Sequence, residues 1–463
     1  MEVIRLLNLI KNEYIKLFKR GSVIAAVIVM FVLSLGIMMI FKAAEILEDE
    51  LTYMTEDGEV IGEGKEFYEA RVTVLKERLE ELEKDSKSNT KDMEAVKRSI
   101  AVFEYLIEKD ISEEDWRYSL VFEVIGNKEE KDEDISKQEV KEFLDNNDFE
   151  GYVRYKAQVT KDQEIKYVNC DDGIKNIYAF MVENEIFDSS DWRYEALTNL
   201  EAMAQNAASD REIKRVMALN YRILNNIQYS TDDIVEDIFE VTDETETPFM
   251  YGFGSSAGIM VILCGIVIIF AGIIVASEHT DGTIKFLITN PVSRGKIIVS
   301  KYLTIVSLSA IGMVTLFVFN FIVCCILFGT EGINAVHLKV TMDGITQMPV
   351  ILNILIKYVL EMVGVIAYGT MAFAISSFAK STAVAVAVGI MSSMAGSMVS
   401  TVLAQMHQDW GRYLIFSNTS LSTIMENGAY YPNQSVTFAL TTVVVYVIIF
   451  FTIAYDGFTR KEI

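Results

Sequence analysis

The chain has 463 residues, 51% of them hydrophobic, with a formal net charge of −24 and a mean hydropathy of +0.27. So much apolar content beside so strong a charge excludes an ordinary soluble globular domain and requires two solvents. The acidic balance also excludes nucleic acid as an expected partner.

At the N-terminus, residues 1–20, the apolar positions Val3, Leu6, Leu7, Ile10, Tyr14, Leu17 and Phe18 recur at steps of three and four. They lie opposite Arg5, Lys11, Lys16 and Lys19. This predicts a basic amphipathic helix lying on the inner membrane surface, with membrane lipid as its partner. Residues 21–41 form a first apolar run long enough to cross a bilayer. Its long cationic leader and lack of a small-x-small cleavage site read as a retained anchor, not a secretory signal.

Residues 42–250 hold 54 Asp and Glu against 26 Lys and Arg, while the remainder of the chain is slightly basic. Helical spacing runs through this acidic block: Tyr68, Val72, Leu75, Leu79 and Leu82 form one stripe, Met93, Val96, Ile100, Phe103 and Ile107 a second. The polar turn 85–90 between them predicts an antiparallel pair. Further helices are expected over 114–125, 137–144, 149–158, 174–186 and 190–227. EKDISEEDWRY at 108–118 is echoed by ENEIFDSSDWRY at 183–194, which predicts two copies of one helix-turn-helix unit. In each copy Ser112 or Ser189 would cap a helix, Trp116 or Trp192 would fill the joint, and Arg117 or Arg193 would pair with carboxylates. The stretch beginning at Asp148 reads as a worn third copy.

Five further apolar runs follow, at 255–276, 302–328, 351–378, 382–404 and 436–455, making six expected spans. Pro248, Pro291, Pro349 and Pro432 all fall at proposed boundaries, where a residue without a backbone N–H is tolerated. Lys285, Arg294, Lys296 and Lys301 follow the second span, Lys380 follows the fourth, and Arg460 and Lys461 close the chain. With the basic leader, this predicts both termini in the cytoplasm and residues 42–250 outside. Of the four cysteines, Cys170 stands alone in the acidic block while Cys264, Cys324 and Cys325 fall in spans, so no disulfide scaffold is expected. His279, His337 and His407 are scattered, and no metal site is expected.

No GxxxxGK[ST], HExxH or GxSxG pattern occurs, and no catalytic residues are assigned. If the protein does work, a separate subunit supplies the energy. The segment 277–301 reads SEHTDGTIKFLITNPVSRGKIIVSK, a basic, turn-containing piece between two spans. Thr280 or Asp281 can cap a short helix that Asn290 and Pro291 stop, and Ser293 can cap the helix entering the third span. This element resembles the E-x(3)-GTI-x-x-L-x(3)-P-x-S-R-x-x-I-x-x-x-K sequence of permease subunits of type-2 ATP-binding-cassette (ABC) exporters. The matching positions are Glu278, Gly282, Thr283, Ile284, Leu287, Pro291, Ser293, Arg294, Ile297 and Lys301. LIKNEYIKLFKR at 9–20 and FTRKEI at 458–463 are similar to that class's N-terminal interfacial helix and basic tail.

The resemblance covers the membrane block and not the acidic one. It implies a bacterial cell-membrane, multi-pass permease that works as a homodimer or with a second permease. A separate ATPase subunit would bind ATP and Mg, leaving no cofactor in this chain, and would grip the short cytoplasmic helix. Ile284, Phe286 and Leu287 would be apolar anchors there, with Glu278, Lys285 and Arg294 at the rim. The fold expected is all-α: six transmembrane helices (the first at 21–41, the others within 251–463), with an all-α extracellular insertion at 42–250 that rests on helical spacing and loop charge, not on the resemblance.

Lys357 and Glu361 lie four residues apart in the fourth span, on one helical face. A charge there is costly in lipid and marks a pathway or a dimer interface; the alternative is an intrahelical pair with Lys357 reaching outward. Ala385, Gly389 and Ser393, with Ser392 and Gly396, predict close helix packing in the fifth span. Taken together, the expected function is export driven by a partner's ATP hydrolysis, with drugs or antimicrobial peptides among the cargoes, and with the acidic block able to attract cationic peptides. Two other readings stay open: a multi-span sensor whose outer domain binds a ligand, and a membrane-embedded enzyme resting on Glu361.

Overall fold

A computed structural model describes residues 2–51, 64–84, 90–113, 115–126, 135–167, 173–207, 209–232, 247–280, 293–341, 344–379, 381–426 and 428–459. The chain divides into two compact units: one of residues 1–44, 229–339 and 346–463, the other of 45–228 and 340–345.

In the first unit, α1 (Glu2–Phe18) leads into α2 (Gly21–Leu51), whose residues from Glu45 onward belong to the second unit. The acidic unit then carries α3 (Lys65–Lys84), α4 (Thr90–Lys109), α5 (Arg117–Val121), a π-helical turn at Phe122–Gly126, α6 (Ile135–Asn146), α7 (Phe149–Val159), α8 (Ile177–Glu183), α9 (Trp192–Asn206) and α10 (Asp210–Leu224). Strand β1 (Ser230–Asp232) precedes α11 (Pro248–Ser255), a 3-10 turn at Ser256–Ile259 and α12 (Met260–Thr280). The rest comprises α13 (Arg294–Leu327), β2 (Val336–Thr341), β3 (Gly344–Pro349), α14 (Val350–Ala379), α15 (Thr382–Gln405), two 3-10 turns at Asp409–Tyr413 and Ile415–Asn418, α16 (Leu421–Glu426) and α17 (Val436–Thr459).

Six stretches are long and apolar enough to cross a membrane: Val23–Ala43, Pro248–Glu278, Arg294–Leu327, Val350–Ala379, Thr382–Gln405 and Val436–Thr459. Their runs coincide with the six expected from hydropathy. The second stretch begins earlier than hydropathy indicated, because Thr247 caps it and Pro248 occupies the first turn, where a missing N–H is harmless. Phe249, Phe253, Phe270, Tyr358 and Phe373 fill the fully buried core of the bundle.

The loop after the third span holds structure that hydropathy did not indicate. Strands β1, β2 and β3 form one small sheet in that order, with Ser230, Thr231 and Asp232 parallel to Val336, His337 and Leu338. The sheet is the one departure from an otherwise all-α architecture among the described residues. It ties residues 230–232 to the chain after the third span, so the acidic unit closes at Gln228.

Within the acidic unit, α3 and α4 pair as expected, bridged by Lys76–Glu104 at 2.7 Å. The 190–227 stretch is two helices, because Ser209 and Glu212 form a capping box that starts α10. The internal echo appears in the backbone. Asp110, Asn147, Glu185 and Asn226 all take left-handed φ values of 51–55°, each followed by an N–H reaching back across a helix end: Ile111 to Leu106, Asp148 to Phe143, Ile186 to Met181 and Ile227 to Arg222. Four helices are thus terminated by one device. After the first three of these ends an aspartate, not a serine, bonds the start of the next helix: Asp148 caps α7 and Asp191 caps α9, and Asp115 lies one residue before the α5 N-cap position at Trp116. Asp115 accepts from the Arg117 N–H at 2.9 Å and from its guanidinium at 3.0 Å; Asp191 repeats this with Arg193 at 2.9 and 3.0 Å. Ser112 lies three residues before Asp115 and Ser189 two before Asp191, so neither stands at the position that bonds the helix start. Trp116 is buried against Phe149 and Tyr152, and its indole N–H donates to Asn147 at 3.1 Å.

Candidate functional site

The segment proposed to grip a partner leaves α12 and returns into α13. Gly282, Thr283, Ile284, Lys285, Phe286, Leu287 and Pro291 lie outside the described residues, whereas Glu278, Ser293, Arg294, Ile297 and Lys301 lie within them. Ser293 occupies the N-cap position of α13, but its side chain makes no cap bond. Its carbonyl accepts from the Lys296 N–H at 3.0 Å and the Ile297 N–H at 3.3 Å.

The ends of the segment are joined. Lys301 is fully buried, and its ammonium donates to Glu278 Oε1 at 2.8 Å, Glu13 Oε2 at 3.0 Å and the Ile274 carbonyl at 2.9 Å. Those three acceptors use its full donor capacity. A buried ammonium persists only when paired and hydrogen-bonded in this way. Lys16, half exposed, completes the cluster by reaching Glu13 at 3.2 Å and Glu278 at 3.3 Å. Burial pulls the Lys16 ammonium down, but the adjoining Glu13 and Glu278 carboxylates outweigh it and raise its pKa above the ordinary value. Arg20 donates to the Ser277 hydroxyl at 3.2 Å, and Tyr14 bonds Ser307 at 2.8 Å.

Helix α1 is thereby riveted to both arms of the segment. Leu17 of the apolar stripe is buried, and so is Glu13, a charged residue to which the amphipathic reading gave no face, while Leu7, Ile15 and Phe18 are exposed. Glu13 escaped the sequence reading. The available signal was a carboxylate set between Lys11 and Lys16 in the otherwise basic leader.

Lys357 and Glu361 share a face of α14 but do not pair with each other. Lys357 forms an ion pair with Glu426, and Glu361 accepts from the Ser422 hydroxyl. The physical reason is geometric: Ser422 and Glu426 are also four residues apart, so α16 matches α14 in two rungs. Gly364 continues the same face, and a Cβ there would lie 2.6 Å from the Thr419 carbonyl. Tyr368 then bonds the Thr419 hydroxyl at 3.1 Å. The stripe 357, 361, 364 and 368 is a docking face for residues 419–426.

A second buried polar chain crosses the bundle. Ser34 donates to Asn320 at 2.6 Å, Asn320 to the Tyr358 hydroxyl at 2.8 Å, and Tyr358 bonds Ser256 at 2.8 Å. It links α2, α13, α14 and the 3-10 turn before α12; satisfied polar contacts of this kind hold apolar helices in register. The small residues of α15 do pack closely: Ala385, Gly389 and Gly396 are buried, and a Cβ on Gly389 would meet Ile268 at 2.5 Å.

Comparison with known proteins gives relatives in Bacillus subtilis (strain 168). The uncharacterized protein YhcI is 29% identical over 266 residues, 57% of this chain and 83% of the relative. The uncharacterized membrane protein YdbK is 24% identical over 220 residues, 47% of this chain and 85% of the relative. No solved structure matches the chain. The alignments, the membrane name of one relative and six membrane-length helices agree on a multi-pass membrane protein. A family model covering residues 216–463, described as protein of unknown function (DUF2705), matches more than half of the sequence, and the chain belongs to that family.

Proposed function

We propose that the protein is the membrane-spanning permease subunit of an ATP-driven exporter of the type-2 ABC class. A separate nucleotide-binding subunit, holding ATP and Mg, grips the 277–301 segment from the cytoplasm. Both termini are cytoplasmic, residues 42–250 form a helical domain outside the cell between the first two spans, and the working unit contains a second permease. The observation that carries this reading is the buried Lys301, which ties Glu278 at the start of the segment to its own position at the end, and both to Glu13 on α1. A segment tethered in this way passes a pull on its tip to three helices at once.

The acidity of the outer domain supports a cationic, amphipathic cargo such as an antimicrobial peptide or drug, drawn in by long-range attraction.

The test is affinity purification of the full chain after co-expression with the products of its neighbouring reading frames. A stoichiometric nucleotide-binding subunit whose ATP hydrolysis responds to cationic peptides is expected. A complex containing a kinase and no ATPase subunit would instead favour a ligand sensor.

A further inference from the structure

Between α15 and α17 the chain folds back into the apolar bundle. Ile415 packs with Ala367 and Val443, and Leu421 and Ile424 pack with Ala439. Irregular backbone packed among apolar helices persists only where its polar groups are satisfied, and the two halves of the segment meet that demand very differently. The first half is riveted. Asn418 donates to the Arg412 and Leu414 carbonyls, both at 2.7 Å, and accepts from Gln434 at 2.9 Å. Ser417 donates to the Gly411 carbonyl and accepts from Ser400, both at 2.7 Å.

The second half, α16, is joined to α14 through Glu361–Ser422 and Lys357–Glu426. The outermost rung is the more accessible to water, with Lys357 and Glu426 side chains 17% and 27% exposed. Beyond it, Gly428 turns the chain with a φ of +82°, and Ala429 packs back on Leu421, Ile424 and Ala439, so just past the outer rung the chain is held by apolar contact. Partly hydrated ion pairs are weakened by solvent, and local opening starts where polar ties are fewest and wettest.

We propose that residues 409–426 form a strap hinged at Asn418 and latched at Glu426, so that opening of the Lys357–Glu426 pair peels α16 from α14 and parts Glu361 from Ser422. The role of this strap as the outer gate of a transport pathway rests on the exporter reading; the movement itself does not. Lys357 and Glu361 are then positioning residues that seat the strap.

The experiment uses the full chain in lipid nanodiscs, where both faces are open to reagent. The four native cysteines are replaced, and a single reporter is introduced as Ile424→Cys or Ile415→Cys, both sites being buried. With Lys357→Gln added, maleimide labelling at 424 should rise about tenfold, between the worth of an exposed and a buried ion pair. Labelling at 415 should stay within about twofold, because a local opening leaves the riveted half closed. Exchanging the charges, Lys357→Glu with Glu426→Lys, should restore protection at 424. An unchanged rate at 424, an equal rise at both positions, or failure of the exchange to restore protection would each overturn the latch. Absence of an ATPase partner would defeat the exporter reading and leave these labelling rates untouched.

Discussion

The Lys301 ammonium lies 2.8 Å from Glu278 although 23 residues separate them. This contact closes the base of the segment between α12 and α13, and the Glu13 carboxylate, 3.0 Å from the same nitrogen, brings in α1. Two buried carboxylates share one buried ammonium, with Lys16 balancing the second charge from the surface.

Lys301→Met should therefore be severe, because it strands Glu13 and Glu278 facing one another in a buried site. A loss of about 3–5 kcal/mol in stability is expected, read as a fall in Tm in detergent. Lys16→Ala, at a half-exposed partner, should lose less than about 1 kcal/mol. Equal effects of the two substitutions would contradict the assignment of Lys301 as the centre of the cluster.

The docking of residues 419–426 depends on Gly364. Any Cβ there would press on the Thr419 carbonyl at 2.6 Å, an atom of backbone that cannot rotate away. Gly364→Ala should destabilise by about 1–3 kcal/mol through overpacking. Tm against the unsubstituted protein checks this, and a neutral result would mean that the approach of Thr419 to α14 is looser than described.

Tyr358 receives a hydrogen bond from Asn320 and bonds Ser256. Tyr358→Phe keeps the ring against Phe317 but orphans Asn320, and a loss of about 1–2 kcal/mol is expected for a buried interhelical contact. Pairing Tyr358→Phe with Asn320→Leu should recover part of that loss, since no buried amide is then left unsatisfied at the site. Tm values of the single and double variants form the cycle that measures it.

In the acidic unit, hydrogen bonds from the Arg193 guanidinium, opposed by burial and reinforced by the Arg193 N–H, hold the Asp191 carboxyl below its ordinary value of 3.8. A lowered folded-state pKa gives stability that is fully present above the unfolded value and lost as pH falls through the folded one. Asp191→Ala should lose about 1–2 kcal/mol at neutral pH as a removed helix cap. The gap between the two proteins should shrink as pH drops below the ordinary carboxylate value, followed by circular dichroism during denaturant unfolding at stepped pH. A gap that widens with acid would show that the carboxylate does not act through its charged form.

Much of this architecture was legible in the residues themselves. Apolar runs of about 20 residues dictate six membrane-length helices wherever they fold, the stripes at Tyr68–Leu82 and Met93–Ile107 dictate a helical pair, and the DWRY echo marks a repeated unit. These are local properties, set by hydropathy and by a period of 3.6 residues. Partner choice was not legible. Lys357 and Glu361 share a face and look like a pair, but Ser422 and Glu426 have the same spacing and arrive with their own buried apolar residues, so both α14 residues turn to α16. Lys301 looks like one more cation of an inner loop, and only the packing of α1 against α13 supplies Glu13 and removes that ammonium from water. Composition and periodicity determine which segments leave water. Which charges meet inside is decided by the rotation and depth at which distant helices pack, and no local pattern in the chain encodes that geometry.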